Sequence, residues 1–566
     1  MIQESTIDNY FIADQFSLLS KLMDIHGENS FKTKSYSIAA FTIEKLPEQL
    51  SLMPRNKIFS IKGIGDAIGK KIIEIMETGE LRLLSEYVSK TPPGVMDMLK
   101  IKGLGPKKIA IVWKEMEIES IGELLYACQE NRLLLYKGFG EKTQKNIQES
   151  IEFFLMNQGS HLYAGIENFA LLMDQKLKEK FPGKKFALTG EFRRQLEVID
   201  QLEWVTTVDR NSLLSFFQQI SYSVNPEKDG KIVFSGSEHI ELSFAIVNES
   251  DFERSLFESS SSKEFLEAWK QAFPSEDAAS YSSESNIFAS HGLPLIPAFM
   301  REKASAIEGF RQKKIPRIIQ PADLKAIIHS HSNWSDGSNT IEEMAAACIK
   351  KGFEYLVLSD HSKSAFYANG LSEEKIREQH IYIDELNRKF APFKIFKSIE
   401  CDILNDGSLD YTDPILSTFD LVITSVHSNL KMTEEKAMMR LMGAIRNPYT
   451  TILGHMTGRL LLSRPGYPVD HKKIIDACAE REIVIELNAH PRRLDIDWRW
   501  IDYAIEKNVL ISIDPDAHAI EGYEDCRYGV LVAQKTGLTA EKNLSSFSLA
   551  EMEKFLASRK KQLTPA

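Results

Sequence analysis

The chain has 566 residues, 43% of them hydrophobic, and a net charge of −11, so it is long enough for three or more domains with well-formed cores. Its five cysteines are dispersed and none forms a CxxC pair, which argues against a disulfide framework and a cysteine-based zinc site. The N-terminus is acidic, unlike a signal peptide, and no uncharged apolar run approaches the length of about 18 residues that a membrane span needs. We therefore expect a cytoplasmic, multidomain protein.

The N-terminal part is locally basic and repeats one motif three times. Residues 54–114 hold twelve Lys and Arg against six Asp and Glu, which suits a polyanionic partner. The form hydrophobic-Lys-Gly-hydrophobic-Gly, followed by a lysine-bearing helix, occurs in IKGIGDAIGKKI (61–72), IKGLGPKKIAIVW (101–113) and YKGFGEKTQKNI (136–147). Each copy resembles a helix-hairpin-helix, in which the glycines allow a tight turn and the amides that start the next helix meet a phosphate.

Hairpins of this kind hold the DNA backbone and read no bases. A single GxG turn is common in proteins, so the prediction depends on the threefold repeat. The sequence therefore predicts DNA as the partner, with these contact residues: Lys62, Gly63, Gly65, Lys70, Lys102, Gly103, Gly105, Lys107, Lys108, Lys137, Gly138 and Gly140.

Seven short apolar runs follow one another in the C-terminal part, and each ends in a polar residue. The ends advance by 27 to 39 residues, which fits one strand, one helix and two loops, and they are His331, His361, Glu400, His427, His455, Asn488 and Asp516. Helix-like stretches such as TIEEMAAACIKKG (340–352) lie between the runs. Repeated βα units with buried parallel strands form a barrel or an open sheet, and we favour a seven-stranded βα barrel because barrels carry their catalytic groups at the strand ends.

Nine side chains at or just past these strand ends are of metal-ligand type. His329 and His331 are two residues apart, and so are Asp516 and His518. The two side chains of each pair therefore point to the same face of their strand. Imidazoles combined with carboxylates suit zinc, manganese or iron better than calcium or magnesium. The predicted ligands are His329, His331, Asp336, His361, Glu400, His427, His455, Asp516 and His518.

These residues are similar in type and order to the ligands of the PHP (polymerase and histidinol phosphatase) family of trinuclear metallo-phosphoesterases, over roughly Asp323 to Leu538. The resemblance implies three divalent metals (manganese, zinc or iron). It assigns them in three sets: His329, His331, Glu400 and Asp516; Glu400, His427 and His455; and Asp336, His361 and His518. One departure is Ile327, which stands where the family usually has an acidic residue, and we expect it to affect the surroundings of the ligands more than ligation.

Such a site favours phosphate ester hydrolysis, because a divalent ion lowers the pKa of bound water from 15.7 toward about 7 and a multinuclear site holds the attacking and leaving oxygens. A cationic side chain is expected to neutralise the phosphate oxygens. Arg459, four residues past His455, is the candidate, with Lys363 and Arg493 as further ones.

The order of the predicted modules resembles the bacterial family X DNA polymerases over essentially the whole chain. The resemblance includes the connector HGLPLIPAFMREKASAIEGFRQKKIP (291–316) and, inside the barrel, ANGLSEEKIREQ (368–379) and DGSLDY (406–411). It implies these domains: a lyase-like helical domain 1–80, a fingers-like hairpin domain 81–150, an α+β palm and thumb 151–300, a linker 301–325 and a PHP domain 326–566.

By the same resemblance, Lys71 falls where the lyase domain of the family carries the amine that attacks the sugar of an abasic end. An amine nucleophile needs a depressed pKa, and without one Lys71 is a phosphate contact or a solvated lysine.

The polymerase signature is degenerate. The family has a Gly-Ser turn, a pair of arginines, an Asp-x-Asp and a third Asp, and these carboxylates hold two magnesium ions. The chain has LTGEFRRQLEVIDQLEWVT (188–206) and HIELSF (239–244), so the corresponding residues are Gly190, Glu191, Arg193, Arg194, Gln201, Glu203 and Glu241. The nucleotide-binding turn of the family is matched by FERSLFESSSSKEFLEAW (252–269), which has no glycine. Magnesium demands near-ideal octahedral geometry, so we expect nucleotidyl transfer to be lost.

We therefore predict a monomeric, DNA-binding metallo-phosphoesterase, a 3′–5′ exonuclease for repair intermediates such as primer-template or gapped ends, with phosphatase and abasic-site endonuclease as further activities. Three alternatives remain. They are an active repair polymerase with divergent carboxylates, a small-molecule phosphatase of the histidinol-phosphate type, and a non-enzymatic DNA-binding scaffold whose metals only stabilise the barrel.

Overall fold

A computed structural model describes residues 8–46, 48–156, 159–274, 281–312 and 317–563. The chain divides into two compact units: the first extends to Phe154 without Glu130–Arg132, and the second contains those three residues and everything after Phe154. The predicted lyase-like and fingers-like domains share the first unit. The predicted boundary after residue 150 falls inside a helix, because the last helix of the first unit continues to Met156. Residues 1–7 and 313–316 of the predicted domains lie outside the described residues.

The first unit is helical. Its opening helix begins where the Asp8 side chain accepts the amide of Phe11 at 2.8 Å and ends at Gly27, which has a left-handed φ of +80°. The helices are α1 (Asn9–His26), α2 (Ser30–Glu44), α3 (Arg55–Ile58), α4 (Asp66–Thr78), α5 (Arg82–Ser89), α6 (Pro93–Met98), α7 (Pro106–Lys114), α8 (Ile121–Gln129) and α9 (Glu141–Met156).

The second unit starts with a mixed α/β module. Its five-stranded sheet has the order β2-β4-β7-β6-β5, in which only β4 and β7 are parallel, and β1 pairs with β3. Trp204 stacks on Phe244 in its core with ring centroids 5.1 Å apart. The strands are β1 (His161–Leu162), β2 (Phe186–Thr189), β3 (Val198–Ile199), β4 (Gln201–Thr206), β5 (Ser223–Lys228), β6 (Lys231–Ser235) and β7 (Glu241–Ile246). The helices are α10 (Tyr163–Lys180), α11 (Gly190–Arg193), α12 (Arg210–Gln219), α13 (Phe252–Ser259), α14 (Lys263–Ala272), α15 (Glu284–Ser290) and α16 (Ser305–Arg311).

The predicted seven-stranded parallel barrel follows. Its strands pair in sequence order, and their continuous apolar runs are buried on both faces, as expected for parallel strands covered by helices. The strands are β8 (Ala326–Ser330), β9 (Tyr355–Leu358), β10 (Lys394–Asp402), β11 (Leu421–Ser425), β12 (Thr450–Leu453), β13 (Val484–Asn488) and β14 (Ile511–Asp514). The helices are α17 (Ile341–Lys351), α18 (Glu373–Phe390), α19 (Asp413–Leu416), α20 (Glu434–Arg446), α21 (His471–Arg481), α22 (Ile501–Glu506), α23 (Cys526–Gln534) and α24 (Leu549–Leu563).

The barrel comes close to closing where its first and last strands meet. The amide of His331 donates to the carbonyl of Ala517 at 2.9 Å, and the amide of Ala517 donates to the carbonyl of His329 at 3.3 Å. This contact decides for the barrel over the open sheet. One strand differs from expectation, because β10 continues to Asp402 and therefore contains Glu400 within the strand.

No helix in the described ranges is long and apolar enough to span a membrane. The five cysteines are free thiols in the interior of the chain, as the sequence indicates.

Candidate metal centre and nucleic-acid interface

The nine predicted metal ligands converge at the carboxyl ends of the barrel strands around one carboxylate, Glu400. Glu400 is 1% exposed, and its two oxygens lie 3.0 to 3.6 Å from ring nitrogens of five histidines: His329, His331, His361, His427 and His455. Asp336 Oδ2 lies 3.5 Å from the Nε2 atoms of both His361 and His518. Asp516 Oδ1 lies 3.0 Å from His331 Nε2. The whole predicted set is therefore brought together.

Three groups within this cluster have ligand atoms that all lie within 4.8 Å of one another. They are His329, His331, Glu400 and Asp516; His361, Glu400 and His427; and His331, Asp336, His361 and His518. The first group is the predicted first set. The other two differ from prediction, since His361 also approaches Glu400 and His331 is shared between two groups.

The cluster has the features of a metal site. Seven of its buried atoms find no hydrogen-bond partner among the described residues: His329 Nε2, His331 Nδ1, Asp336 Oδ2, His361 Nδ1, Glu400 Oε2, His455 Nδ1 and His518 Nε2. Buried polar atoms without a partner are costly, and several here face one another at 3 to 4 Å without hydrogen-bond geometry. Cations placed between the facing atoms would satisfy five of the seven, whereas His331 and His455 turn Nε2, and not Nδ1, toward Glu400.

The electrostatics differ among the histidines. Burial lowers the pKa of His329, His361, His427 and His518, but the neighbouring carboxylates outweigh it and raise those pKa values, so a divalent metal would have to displace their protons. Burial, then the charges of His518 and His361, lower the pKa of His331 to about 3, so its ring is neutral and able to ligate. Burial raises the pKa of Asp336, but His361 and His518 outweigh it and hold that pKa well below its usual range. A neutral imidazole beside an ionised carboxylate is the form that divalent metals require.

Carboxylates behind the ligands orient the histidine rings. Glu486 is fully buried and accepts the Nδ1 proton of His329 at 2.5 Å and the backbone amide of His455 at 3.0 Å. Asp402 accepts the Nδ1 proton of His427 at 2.6 Å. Each contact leaves Nε2 of the ring available to a metal. Ile327, which stands where the family usually has an acidic residue, is part of the apolar core. The acidic neighbour of His329 is instead Glu486, which lies on β13.

A third buried carboxylate, Asp360, holds the loop that carries Asp336. It accepts hydrogen bonds from the amide of Ser332 at 2.8 Å, the hydroxyl of Ser335 at 2.5 Å and the side chain of Gln379 at 2.6 Å. Sequence reasoning missed Glu486, Asp402 and Asp360. A signal existed for the first, because Glu486 is an acid inside the apolar run IVIELN, where an uncompensated charge would be costly.

Two ligands sit on strained backbone. His329 has a φ of +60° and Asp516 a φ of +52°, values that residues with a Cβ rarely adopt. The pairing of β8 with β9 shifts register between Ile327 and Ser330, so His329 lies in a bulge. Local strain of this kind persists where the surrounding structure fixes a functional geometry.

The structure separates the three cation candidates. Arg459 is engaged with a loop: it donates to the carbonyls of Arg493 at 3.0 Å and Leu494 and lies 2.5 Å from Asp497 Oδ2. Arg493 is 6% exposed, and its Nε lies 3.7 Å from Oδ2 of the predicted ligand Asp516. The geometry therefore favours Arg493 over Arg459.

Lys363 is half-exposed, with its ammonium 5.0 Å from the centroid of the Tyr411 ring and 3.9 Å from Glu373. It lies on the loop that follows His361, at the rim of the cluster.

The three hairpin turns have the expected geometry. Gly63, Gly103 and Gly138 have φ values of +94°, +88° and +99°, which favour glycine at the tight turn. Gly65 and Gly105 are the N-caps of α4 and α7, and Gly140 precedes α9. The central apolar side chain of each turn is buried, whereas the flanking lysines Lys62, Lys102 and Lys137 are exposed.

The remaining predicted lysines follow the turns on α4 and α7. Lys70 and Lys107 are exposed, and Lys108 is partly exposed with its ammonium 3.4 Å from the carbonyl of Gly103. Lys71 is partly exposed on α4, next to the buried Ile72.

Family models match three stretches of the chain. A helix-hairpin-helix domain matches residues 7–81, a SAM-like helix-hairpin-helix tandem matches residues 95–152, and a PHP domain matches residues 328–490. The last match ends before Asp516 and His518, which the structure places in the same cluster.

One relative matches almost from end to end. The chain is 32% identical over 559 residues to a Bacillus subtilis protein named DNA polymerase/3′-5′ exonuclease PolX, with 94% of this chain and 96% of that protein covered. The chain belongs to the bacterial family X DNA polymerases that carry a PHP domain. It is therefore a metal-dependent phosphoesterase joined to a polymerase module, and its helix-hairpin-helix domains are DNA-binding domains.

Two further relatives match less than half of the chain. A probable phosphatase of Thermoanaerobacter sp. (strain X514) is 24% identical over 257 residues, which are 42% of this chain and 98% of that protein. A probable phosphatase of Caldanaerobacter subterraneus subsp. tengcongensis is 29% identical over 169 residues, which are 28% of this chain and 60% of that protein.

The residues at the predicted polymerase positions contact other residues of the protein itself. Glu203 Oε1 lies 2.5 Å from the ammonium of Lys231 on β6. A Cβ on Gly190, which has a φ of +63°, would lie 1.9 Å from Glu203 Oε2, so the turn packs directly on this carboxylate. Gln201 pairs in register with Glu241 across β4 and β7, and Glu241 accepts from Asn225 at 3.2 Å.

The remaining residues of the predicted polymerase signature also form hydrogen bonds within the protein. Glu191 accepts the amide of Asp200 at 2.9 Å, and burial raises the pKa of its carboxyl group. Arg193 forms two hydrogen bonds to Glu284, at 2.7 and 3.0 Å, and Arg194 bonds Glu302 at 2.6 Å. Across the described ranges, every group of three or more ligand-type side chains lies in the barrel and none in this module.

Proposed function

We propose that this protein is a DNA-binding, metal-dependent 3′–5′ exonuclease that acts on DNA ends in repair, and that its polymerase module does not transfer nucleotides. One contrast carries the proposal: the barrel gathers eight further ligand-type side chains around Glu400, whereas Lys231 neutralises Glu203 in the polymerase-like module. The relative from Bacillus subtilis, which is named a DNA polymerase/3′-5′ exonuclease, supports the proposal.

We propose three divalent metals, manganese, zinc or iron, held by the nine cluster residues. His329, His331, Glu400 and Asp516 would hold one, and Glu400, His427 and His455 a second, since both of those histidines lie 3.0 Å from Glu400 Oε1. Asp336, His361 and His518 would hold the third. Bound metals of this kind activate water and stabilise the charge of a phosphoryl transition state.

The side chains of the protein itself bind and orient. Arg493 would neutralise a phosphate oxygen of the scissile group, in place of Arg459, which instead fixes the loop that carries Arg493. Glu486 and Asp402 keep Nδ1 of His329 and His427 protonated, so that Nε2 of each ring faces the centre. Lys363 at the rim would attract the DNA backbone.

The three hairpins would grip the phosphates of the DNA, with exposed lysines beside the turns, and this contact depends on salt and not on sequence. Lys71 on α4 would contact phosphate or act as the lyase amine. We further propose that the enzyme works as a monomer in the cytoplasm.

The decisive experiment uses primer-template DNA labelled at either end, manganese, and two proteins: wild type and the His427→Ala/Asp516→Ala variant. Wild type should shorten the 3′ end stepwise and leave a 5′ label on successively shorter products, and the variant should be inactive. Extension in the presence of nucleotides should be absent. Intact DNA in both reactions, with hydrolysis of a sugar phosphate by wild type, would contradict the nuclease proposal.

A second activity is favoured by the phosphatase relatives, one of which is covered by this chain over 98% of its length. We propose that the same centre removes a 3′-terminal phosphate, because a monoester also presents non-bridging phosphoryl oxygens to the metals, three where a diester has two. Release of phosphate from an oligonucleotide with a 3′-phosphate tests this activity. Cleavage of an oligonucleotide at an internal abasic site tests the abasic-site endonuclease activity.

A further inference from the structure

A buried arginine on α20 donates its hydrogen bonds to backbone carbonyls and to none of the carboxylates in the part of the chain that the structure describes. Arg440 is 0% exposed. Its guanidinium donates to the carbonyls of Ile403, Leu404 and Ser428, and also contacts the sulfur of Met432 at 3.3 Å. Burying a charge without a paired counter-ion is costly. The place of Arg440 therefore points to a role beyond filling the core.

The three carbonyls belong to residues that directly follow two parts of the metal centre. Ile403 and Leu404 follow Asp402 at the end of β10, and Ser428 follows His427. The Nε atom of the guanidinium donates to Leu404 at 3.0 Å, Nη1 donates to Ser428 at 2.9 Å, and Nη2 donates to Ile403. One planar group thus fixes the segments that leave two neighbouring strands, β10 and β11, relative to each other.

These two segments also contact each other, through a pair of side chains that belongs to the metal centre. Asp402 accepts the Nδ1 proton of His427 at 2.6 Å, and Nε2 of the same ring lies 3.0 Å from Glu400 Oε1. Further along, the side-chain amide of Asn429 donates to the side-chain oxygen of Asn405 at 3.0 Å. The direction of the His427 ring therefore depends on how the two segments are held.

The loop after Asp402 packs against α20 through two glycines. Gly407 has a φ of +85°, and its amide donates to the carbonyl of Leu404 at 3.0 Å. A Cβ on Gly443 of α20 would lie 2.5 Å from the carbonyl oxygen of Gly407. The stretch DGSLDY (406–411) begins in this loop. The close approach that brings the carbonyl of Leu404 to the guanidinium therefore requires glycine on the helix.

The same loop reaches the segment that follows His361. Asp410 accepts the amide of Ser364 at 2.6 Å, and Asp402 accepts the hydroxyl of Ser364 at 2.7 Å. The carboxylate of Asp402 is thus held by Ser364 on one oxygen and by His427 on the other. A shift of this loop would disturb the surroundings of two predicted ligands.

We propose that Arg440 is a positioning residue for the hydrolytic reaction, which holds Asp402 against His427 and so directs Nε2 of His427 to the metal centre. The inference rests on the proposed function and extends it to a helix that carries none of the nine predicted ligands. Lysine could not replace Arg440, because its ammonium is a single point on a flexible stem, whereas the guanidinium donates in several fixed directions of one plane.

The test variant is Arg440→Lys, which keeps the cation and loses the planar group. Gly443→Ala is a second variant, which would displace Gly407 and leave the guanidinium intact, and Arg446→Lys at an exposed position of α20 is the control. Each full-length protein is prepared without metal and titrated with manganese by calorimetry. Its exonuclease rate on a 3′-labelled oligonucleotide is then measured over a range of manganese concentrations.

We expect Arg440→Lys and Gly443→Ala to bind manganese about 10- to 100-fold more weakly than wild type, and Arg446→Lys to match wild type. Excess manganese should restore kcat, with KM for the oligonucleotide unchanged, because the variants alter the direction of a ligand and leave the DNA contacts in place. A purely structural role would lower the free energy of unfolding and leave the affinity for manganese as it is, and that result would overturn the proposal.

A double-variant cycle shows whether Arg440 acts through Asp402. Asp402→Asn alone should weaken manganese binding, and the addition of Arg440→Lys should weaken it little further, because both changes act on His427. Full additivity of the two losses would contradict the positioning role. Manganese binding by wild type without cleavage of DNA would instead remove the exonuclease proposal, while the titrations of the variants still decide the role of Arg440.

Discussion

The ammonium of Lys231 lies 2.5 Å from the carboxylate of Glu203, at the position where the resemblance to family X polymerases predicts a metal-binding aspartate. Both side chains are partly buried, and they are 28% and 12% exposed. Lys231 places a positive charge beside this carboxylate, and we expect the pair to stabilise the folded module.

Removing one partner of this pair should therefore destabilise the protein. Lys231→Met leaves Glu203 without its cation, and we expect a loss of about 1–2 kcal/mol in the free energy of unfolding. Urea denaturation measures it, and the double variant Lys231→Met/Glu203→Gln should recover part of the loss. Additive effects of the two substitutions would show that the pair is not coupled. Neither variant should extend a primer.

Glu486 is expected to be as important as a ligand. Glu486→Gln replaces the acceptor of the His329 proton by an amide, and we expect a loss of about 10- to 100-fold in metal affinity or in exonuclease rate. Metal content after dialysis and single-turnover kinetics are the measurements. The control is Glu480→Gln on the exposed face of α21. Wild-type metal content and rate in Glu486→Gln would contradict the orienting role.

Substitution of Arg493 should lower activity, whereas substitution of Arg459 should lower stability. Arg493→Met is expected to lower kcat/KM by about 100-fold, because a charge beside the phosphate is lost. Arg459→Met is expected to lower the free energy of unfolding by about 1–3 kcal/mol, because Asp497 loses one of its two arginine partners and the carbonyls of Arg493 and Leu494 lose a donor. Kinetics and urea unfolding of both variants test the pair. The reverse pattern would return the catalytic cation to Arg459.

The buried ammonium group of Lys535 should make the stability of the protein depend on pH. Burial lowers the pKa of its ammonium from 10.5 to about 8, despite the attraction of Glu197 and Glu302, and the group donates to the carbonyl of Arg194. The folded protein thus releases this proton near pH 8, whereas the unfolded chain keeps it until about 10.5, so the contribution of Lys535 to stability rises with pH between the two values.

Relative to Lys535→Met, wild type should therefore gain about 1–2 kcal/mol of unfolding free energy between about pH 7.5 and 10. The exposed-site variant Lys554→Met should parallel wild type over that range. A constant difference between wild type and Lys535→Met would show that the lysine stays protonated.

The sequence predicts the ligands better than their surroundings. His329, His331 and Asp516 follow apolar runs, so strand periodicity and side-chain chemistry together place them at one end of a barrel. Glu486 and Lys231 are different, because their roles depend on which strands pair and in what register, and neighbouring residues in the chain do not encode this. The contacts of Arg459 could not be predicted for the same reason, because its partner Asp497 belongs to another loop.

The junction of the first and last barrel strands has a consequence for how the enzyme comes into being. His331 and Asp516 are 185 residues apart and meet at 3.0 Å, beside the backbone contact that joins the ends of the barrel. The hydrolytic centre therefore cannot exist on a nascent chain until the ribosome has released the last strand and the loop after it. A partly synthesised copy would therefore carry its complete helix-hairpin-helix domains before it carries a hydrolytic centre.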